Sequence, residues 1–208
     1  MKRVYFVRHG EAEGNVGNFA QSPDTPLTDR GWQQARIVGE RLRHLEIDVL
    51  VASNYLRAQQ TAAAIAETSG HTIETLESVR ECGTPSRLRG VPRESDEYQA
   101  YIQNYAARYT DPAWENEDGE TFAQVLERCE HAAAWLENHE AGQIAVVSHG
   151  RFFRFFLAYV LMQKQLTATA EIAIASSATV TNTGITHYKV EDGVWKLVSW
   201  NDHAHFAE

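Results

Sequence analysis

Several residue types and motifs are scarce in this chain of 208 residues, and each scarcity closes off a class of answer. Cysteine occurs twice, at Cys82 and Cys129. Two thiols in a chain this long make no disulfide framework, so a reduced, cytoplasmic setting is expected. Long apolar runs are missing. The longest, Phe152 to Met162, is broken by Arg154, whereas a membrane span needs about 20 apolar residues; the segment reads as a buried helix. No signal peptide is expected, because trimming the N-terminus would destroy the first strand. Positive charge is in deficit: 19 Lys and Arg against 28 Asp and Glu leave a net charge of −9. That balance argues against nucleic acid or an anionic membrane as the main partner. An anionic small molecule then needs a local basic pocket.

Familiar catalytic loops are also missing. There is no Gly-x-x-x-x-Gly-Lys-Ser/Thr stretch, which excludes a P-loop NTPase. Ser148 precedes Gly150, but a serine nucleophile elbow wants glycine at position 146, where the chain has Val. From Cys82, the arginine that a cysteine phosphatase loop requires would fall at position 88, which is Leu.

What is present is a repeated arrangement. Val4 to Val7 is a buried-looking run that ends in Arg8-His9-Gly10, and Ile144 to Val147 is another that ends in Ser148-His149-Gly150. Val49 to Ala52 is a third such run. Each is followed by a helical pattern. Thr28 is placed to cap a helix with Trp32, Ala35, Val38 and Leu42 on its apolar side, and Ser53 to cap one that runs to Gly70. Glu120 to His139 has apolar residues at spacings of three and four. Thr179 to Lys189 and Val194 to Trp200 are rich in β-branched and aromatic residues, and Glu191-Asp192-Gly193 between them signals a hairpin. Strands alternating with helices predict a three-layer α/β sandwich: a mostly parallel central sheet, helices on both faces, and an antiparallel edge. One domain spanning 1–208 is expected. Residues 80–119 hold three of the five prolines and no clean strand. They read as an inserted cap and substrate region, with one helix near Asp96 to Tyr109.

Open α/β sheets bind ligands at the carboxyl ends of their strands, where His9 and His149 would both fall. Arg57 lies in the first turn of the helix after Val49–Ala52, beside free backbone N–H groups that favour anions. Its planar fork suits phosphate. A lone strand-end histidine or helix-start arginine is commonly structural; the conjunction of these residues with Arg8 at one sheet edge describes a phosphate site without a glycine-rich cradle.

On these residues the chain resembles the histidine phosphatase superfamily, also called phosphoglycerate-mutase-like. The matching pieces are Arg8-His9-Gly10-Glu11 with Asn15, Pro26-Leu27-Thr28-x-x-Gly31-x-x-Gln34-Ala35, Ser53-x-x-x-Arg57-Ala58-x-Gln60-Thr61, Gly119-Glu120-Thr121 and Ser148-His149-Gly150. The resemblance implies that His9 is the nucleophile and becomes a phosphohistidine, and that Arg8, Arg57 and His149 hold the phosphoryl oxygens. It also implies that Asn15 is a further donor to the phosphoryl group, that Gly150 contacts the substrate, and that Glu81 gives the leaving oxygen its proton and then activates water. After Glu81 the chain reads Gly83-Thr84-Pro85-Ser86-Arg87-Leu88-Arg89-Gly90, a departure from the commonest family pattern. No metal and no cofactor are implied, since cationic side chains do that work.

Arg80, Arg87, Arg89 and Arg93 crowd this segment. Arg87 is an expected substrate contact; pairing of these arginines with Glu94, Asp96 and Glu97 on a wet surface is the plainer alternative. His203 and His205 invite a metal reading but fit a packed tail better. The expected reaction is hydrolysis of a small phosphorylated metabolite. A mutase that returns the phosphoryl group to its substrate is the alternative, disfavoured because Gly14 precedes Asn15 and because the chain is shorter than typical mutases. A non-catalytic phospholigand- or protein-binding module is a second alternative, disfavoured because His9, Arg8, Arg57 and His149 are all present. Oligomeric state, a homodimer included, is left open.

Overall fold

A computed structural model describes residues 1–206. Six strands form one sheet in the order β3-β2-β4-β1-β5-β6. They are β1 (Lys2–Arg8), β2 (Val49–Ala52), β3 (Ile73–Thr75), β4 (Gln143–Ser148), β5 (Ile185–Glu191) and β6 (Val194–Asp202). The inner pairs β1·β4, β4·β2 and β2·β3 are parallel, and β5 and β6 add an antiparallel edge. Around the sheet run α1 (Glu13–Val16), α2 (Asp29–Leu42), α3 (Leu56–Ser69), α4 (Asp96–Arg108), α5 (Phe122–Asn138), α6 (Gly150–Met162) and α7 (Ala168–Ser177). Among the described residues no helix is long and apolar enough to cross a membrane.

The inner strands are apolar along both faces because both are covered. Val4, Phe6, Val51, Ile144 and Val146 point into one core, filled by Phe152, Phe155 and Phe156 of α6 and Cys129, Ala133 and Leu136 of α5. Their neighbours Tyr5, Val7, Leu50, Ala145 and Val147 point the opposite way, onto Val38 and Leu42 of α2 and Ala58, Ala62 and Ile65 of α3. Period-two alternation thus sends successive residues of one strand into two separate cores.

Local signals account for most boundaries. Thr28 accepts a hydrogen bond from Gly31 N at 3.0 Å and starts α2, and Gly70 ends α3 with φ +74°. Asp192 and Gly193, both at positive φ (51° and 73°), make the two-residue turn between β5 and β6. Three expectations need correction. Ser53 does not cap α3; Tyr55 occupies the N-cap, and the Ser53 hydroxyl is drawn instead to His149. The strand predicted from Thr179 begins at Ile185, because residues 179–184 turn back to hydrogen-bond the end of β1 through Thr183 N to Arg8 O (2.9 Å). The helix predicted from Glu120 begins at Phe122, capped by Thr121, leaving Glu120 free for other work. Helix α7 has no counterpart in the sequence reading: its Ala-rich, nearly uniform pattern carries no amphipathic period.

Gly10 and Gly31 explain the spacing of two motifs. A Cβ at Gly10 would lie 2.4 Å from Gly31 O, and one at Gly31 would lie 2.0 Å from Glu11 O. The two backbones touch, which locks the chain after His9 onto the first turn of α2. A Gly31→Ala variant should lose about 2 kcal/mol of unfolding free energy from this overpacking, read as a lower urea midpoint at unchanged slope.

Candidate active site

Strand register assembles the site. Parallel pairing sets Arg8 opposite Ser148 and Ala52 opposite Val147. His9, His149 and Ser53 therefore leave the sheet side by side at its carboxyl edge. His9 N donates to Ser148 O at 2.9 Å, and Ser53 N to Val147 O at 3.0 Å. The two imidazole centroids lie 5.2 Å apart.

His9 is buried, 2% exposed, at the edge of a cavity of about 620 Å³. Its Nδ1 lies 2.6 Å from Gly10 O. A carbonyl can only accept, so Nδ1 carries the proton and Nε2 keeps its lone pair. Arg57 Nε donates to that Nε2 at 3.2 Å. Arg57 is itself buried, anchored by NH1 to Ser22 O at 3.0 Å. Thr61 ties the two elements together: its hydroxyl accepts from Gly10 N at 3.0 Å and donates to Arg57 O at 2.7 Å. Arg8 reaches Val180 O with NH1 at 2.6 Å, while its Nε is buried without a partner. Gly150 makes room for it; a Cβ there would come within 3.2 Å of Arg8 Nε.

His149 is fully buried. Its Nε2 contacts Ser53 Oγ at 2.8 Å and its Nδ1 has no partner. Orphaned buried polar atoms cost free energy; the Arg8 Nε–H is one such donor, on a side chain that lines the cavity, and an anion would satisfy it.

Glu81 lines the same cavity. Its Oε1 accepts from Phe152 N at 2.9 Å and Cys82 N at 3.0 Å, and Oε2 from Arg151 N at 3.3 Å. The carboxyl group is thus pinned at the N-terminus of α6, immediately after His149. The loop that carries it is fixed from behind. Ser148 Oγ donates to Val79 O at 2.5 Å, and Arg128 NH1 to Ser78 O and Arg80 O at 2.9 and 2.8 Å. Arg128 is held in turn by Glu120, with both contacts at 2.8 Å, and Glu120 also accepts from Arg80 NH2 at 2.9 Å and Gly83 N at 2.7 Å. Burial pushes the Glu120 carboxyl up, but hydrogen bonding and charge from Arg128 outweigh it and leave the group below its ordinary value. Glu120 and Arg128 therefore act as a buried brace for Glu81. The Gly-Glu-Thr motif pointed to Glu120 without its role; nothing in the local pattern singled out Arg128.

Asn15 is exposed at the cavity edge, its Oδ1 accepting from Ala12 N at 2.9 Å and its amide nitrogen left for a ligand. Arg87 is a correction. It lies outside the cavity, exposed, bidentate to Glu117 at 2.8 and 2.9 Å and bonded to Glu97 at 3.1 Å. Acidic residues nearby outcompete the cavity for it. Arg80 is likewise taken by Glu120. The cationic wall is built instead by Arg89, Arg93, Arg151 and Arg154, none of which has a carboxylate within salt-bridge distance among the described residues. Of the last two, only Arg154 left a sequence signal, as the charge that breaks the apolar run Phe152 to Met162. His205 contacts Thr183 at 3.3 Å, and Asp202 pairs with Arg41 at 2.9 Å, so the tail packs on the body. No group of three or more His, Cys, Asp or Glu suited to a metal occurs among the described residues.

Burial lowers the pKa of His9 well below the imidazole value, and the charges of Arg57 and Arg8 lower it further against the Gly10 hydrogen bond. Burial, then Arg57 and His9, does the same to His149. Burial also draws Arg57 down to about 10, which leaves it cationic at neutral pH. The site is therefore two neutral imidazoles among guanidinium groups at a sheet edge.

This fold with this edge cluster defines an open α/β protein whose strand ends bring two histidines and two arginines together. The chain belongs to the histidine phosphatase superfamily (branch 1), whose family model matches residues 4–203. A protein named "Probable phosphoglycerate mutase GpmB" from Enterobacter sp. (strain 638) is 36% identical over 153 residues, 72% of this chain and 70% of that one. Bacillus stearothermophilus YhfR has the same fold, with a TM-score of 0.83 at 24% identity over 99% of both chains. So does a mycobacterial glucosyl-3-phosphoglycerate phosphatase, with a TM-score of 0.79 at 24% identity over 97% of this chain and 99% of that one.

The neutral histidines make stability pH-dependent. In the unfolded chain imidazoles take up protons near pH 6.5, while His9 and His149 in the fold stay neutral. Below about pH 6.5 the unfolded state binds more protons, so stability present above that pH is lost as pH falls, by about 1 kcal/mol for each histidine over the first pH unit. A His9→Asn/His149→Asn double variant should lose correspondingly less between pH 6.5 and 5.5, measured by urea unfolding.

Proposed function

We propose that this chain is a metal-independent phosphomonoesterase that works through a phosphohistidine at His9 on a small phosphorylated metabolite. The observation that carries the reading is the lone pair of His9 Nε2, set beside Arg57 and at the edge of a cavity that Arg8 and Glu81 also line. A phosphoryl group entering there takes the Arg57 Nε–H that now meets His9, together with the unpartnered Arg8 Nε–H, with the His149 ring packed beside His9. His9 Nε2 attacks phosphorus, and the bond to the ester oxygen breaks as Glu81 gives that oxygen its proton. A water then attacks the phosphohistidine, Glu81 takes its proton back, and inorganic phosphate leaves with His9 free. The Gly10 carbonyl holds the Nδ1 proton and stabilises the ring as it becomes cationic. Positioning and charge carry most of the rate in such transfers. The four unpaired wall arginines gather anionic esters onto an otherwise acidic molecule.

Release of p-nitrophenolate from its phosphate ester in the presence of chelator tests this directly. His9→Ala should fall by about a thousandfold or more; equal rates would remove His9 as the nucleophile. Glu81→Gln should slow alkyl phosphates, whose leaving oxygen needs a proton, about a hundredfold more than p-nitrophenyl phosphate. A uniform loss would instead make Glu81 a positioning group.

A mutase is the second reading, favoured by the name of the Enterobacter relative. Incubation with a phosphoglycerate and its bisphosphate separates the two: isomer interconversion without free phosphate would establish the mutase.

A further inference from the structure

Beside the phosphoryl cavity lies a second chamber of about 310 Å³. Its walls are Tyr98, Tyr101 and Tyr105 from α4 and Tyr109 at that helix's C-cap, with Ile172 and Ala175 from α7. The two spaces share Thr84, Tyr98, Arg151 and Arg154 as lining, so only those side chains stand between them.

The four tyrosines recur at steps of three, four and four, which places them on one stripe of α4. Each hydroxyl has a partner outside the stripe. Tyr98 accepts from Arg93 NH1 at 3.3 Å, Tyr101 donates to Asn116 Oδ1 at 3.3 Å, Tyr105 meets Arg151, and Tyr109 meets the buried Glu171. The tips are tethered, so the rings stand as a fixed aromatic wall rather than filling the space. Arg151 lies over the Tyr105 ring at 4.8 Å, while Arg154 Nε is buried without a partner at the junction of the two spaces. Facing the wall, α7 offers a small residue, Ala175, and the exposed Ile172. A benzene-sized occupant needs a cavity of about 150 Å³, and fixed rings favour another ring through offset or edge-on stacking.

On the reading of the chain as a phosphatase, we propose that this chamber is a leaving-group pocket: the substrate is a phosphomonoester whose alcohol portion carries an aromatic ring, seated between the α4 tyrosines and α7. Arg154 donates to an acceptor on the link between ring and phosphate. The chamber discriminates among esters without touching the reacting atoms, so it acts on KM.

The test uses phenylalkyl phosphates with two to four methylenes and the ring-less alkyl phosphates of the same length. Phosphate release from each is followed with chelator present, for the wild type, Ala175→Phe and Ile172→Ala. The best phenylalkyl ester should exceed its ring-less partner in kcat/KM by about tenfold or more, chiefly through KM, as expected for a buried ring. Phe at position 175 fills the chamber and should bring that ratio close to one; Ile172→Ala removes part of a wall and should reduce it about threefold. A wild-type ratio near one at every length, or a ratio that Ala175→Phe leaves intact, overturns the assignment. Titration calorimetry with the matching non-hydrolysable phosphonates separates this from the catalytic reading. Tighter binding of the phenylalkyl phosphonate, lost in Ala175→Phe, supports the chamber even in a chain that hydrolyses neither ester, and that inactivity would count against the phosphatase alone. Equal binding of both phosphonates overturns the chamber alone.

Discussion

Parallel pairing of β1 with β4, in a register that sets Arg8 against Ser148, is the constraint from which the site follows. Residues about 140 positions apart in the chain leave the sheet at the same level, and the backbone bond from His9 N to Ser148 O fixes that level. A slip of one residue would turn every side chain of β1 to the opposite face. Val4 and Phe6 would exchange cores with Tyr5 and Val7, each of which is packed among different helices. The apolar pattern that folds the sheet is therefore also what aims the imidazoles.

A second layer of organisation lies behind the reacting groups. Arg128 is buried, Glu120 is largely so, and the two are joined by two short contacts. A buried ion pair is weak evidence for stability on its own account, because desolvation offsets most of its attraction. Its value here is positional: Arg128 donates to two carbonyls of the loop that ends at Glu81, and Glu120 accepts from the backbone just beyond it. The charge pair stiffens the segment that brings the Glu81 carboxyl group to the cavity from a loop rather than from a strand. Cys82, in the middle of that loop, is buried and its thiol is pushed up to about 12, so it contributes bulk, not chemistry.

The sequence made the strand-end motifs legible because each is local: an apolar run, a histidine and a glycine need no distant partner to be read. The parallel sheet, the hairpin at Asp192-Gly193 and the cap at Thr28 were legible for the same reason. The residues misread are those whose neighbours come from elsewhere. Ser53 has the right chemistry for a helix cap, yet His149 claims its hydroxyl. Arg87 has the right charge for a substrate, yet Glu117 and Glu97 claim its guanidinium group. Arg128 sits on the buried side of α5, where no spacing rule anticipates a cation. Helix α7 escaped because its apolar residues surround it instead of forming a stripe. Local pattern set the elements; competition among long-range hydrogen-bond partners decided which polar residues faced the cavity.

The neutrality of the two imidazoles has an energetic corollary for ligand capture. Their protons are kept off by burial and by the surrounding arginines. A dianion settling into the cavity cancels much of that positive field, and the affinity of His149 for a proton rises as it does so. Anion capture and the proton affinity of His149 are then coupled, each favouring the other. The heat of association should accordingly change with the ionisation enthalpy of the buffer, and the affinity should strengthen toward mildly acidic solution.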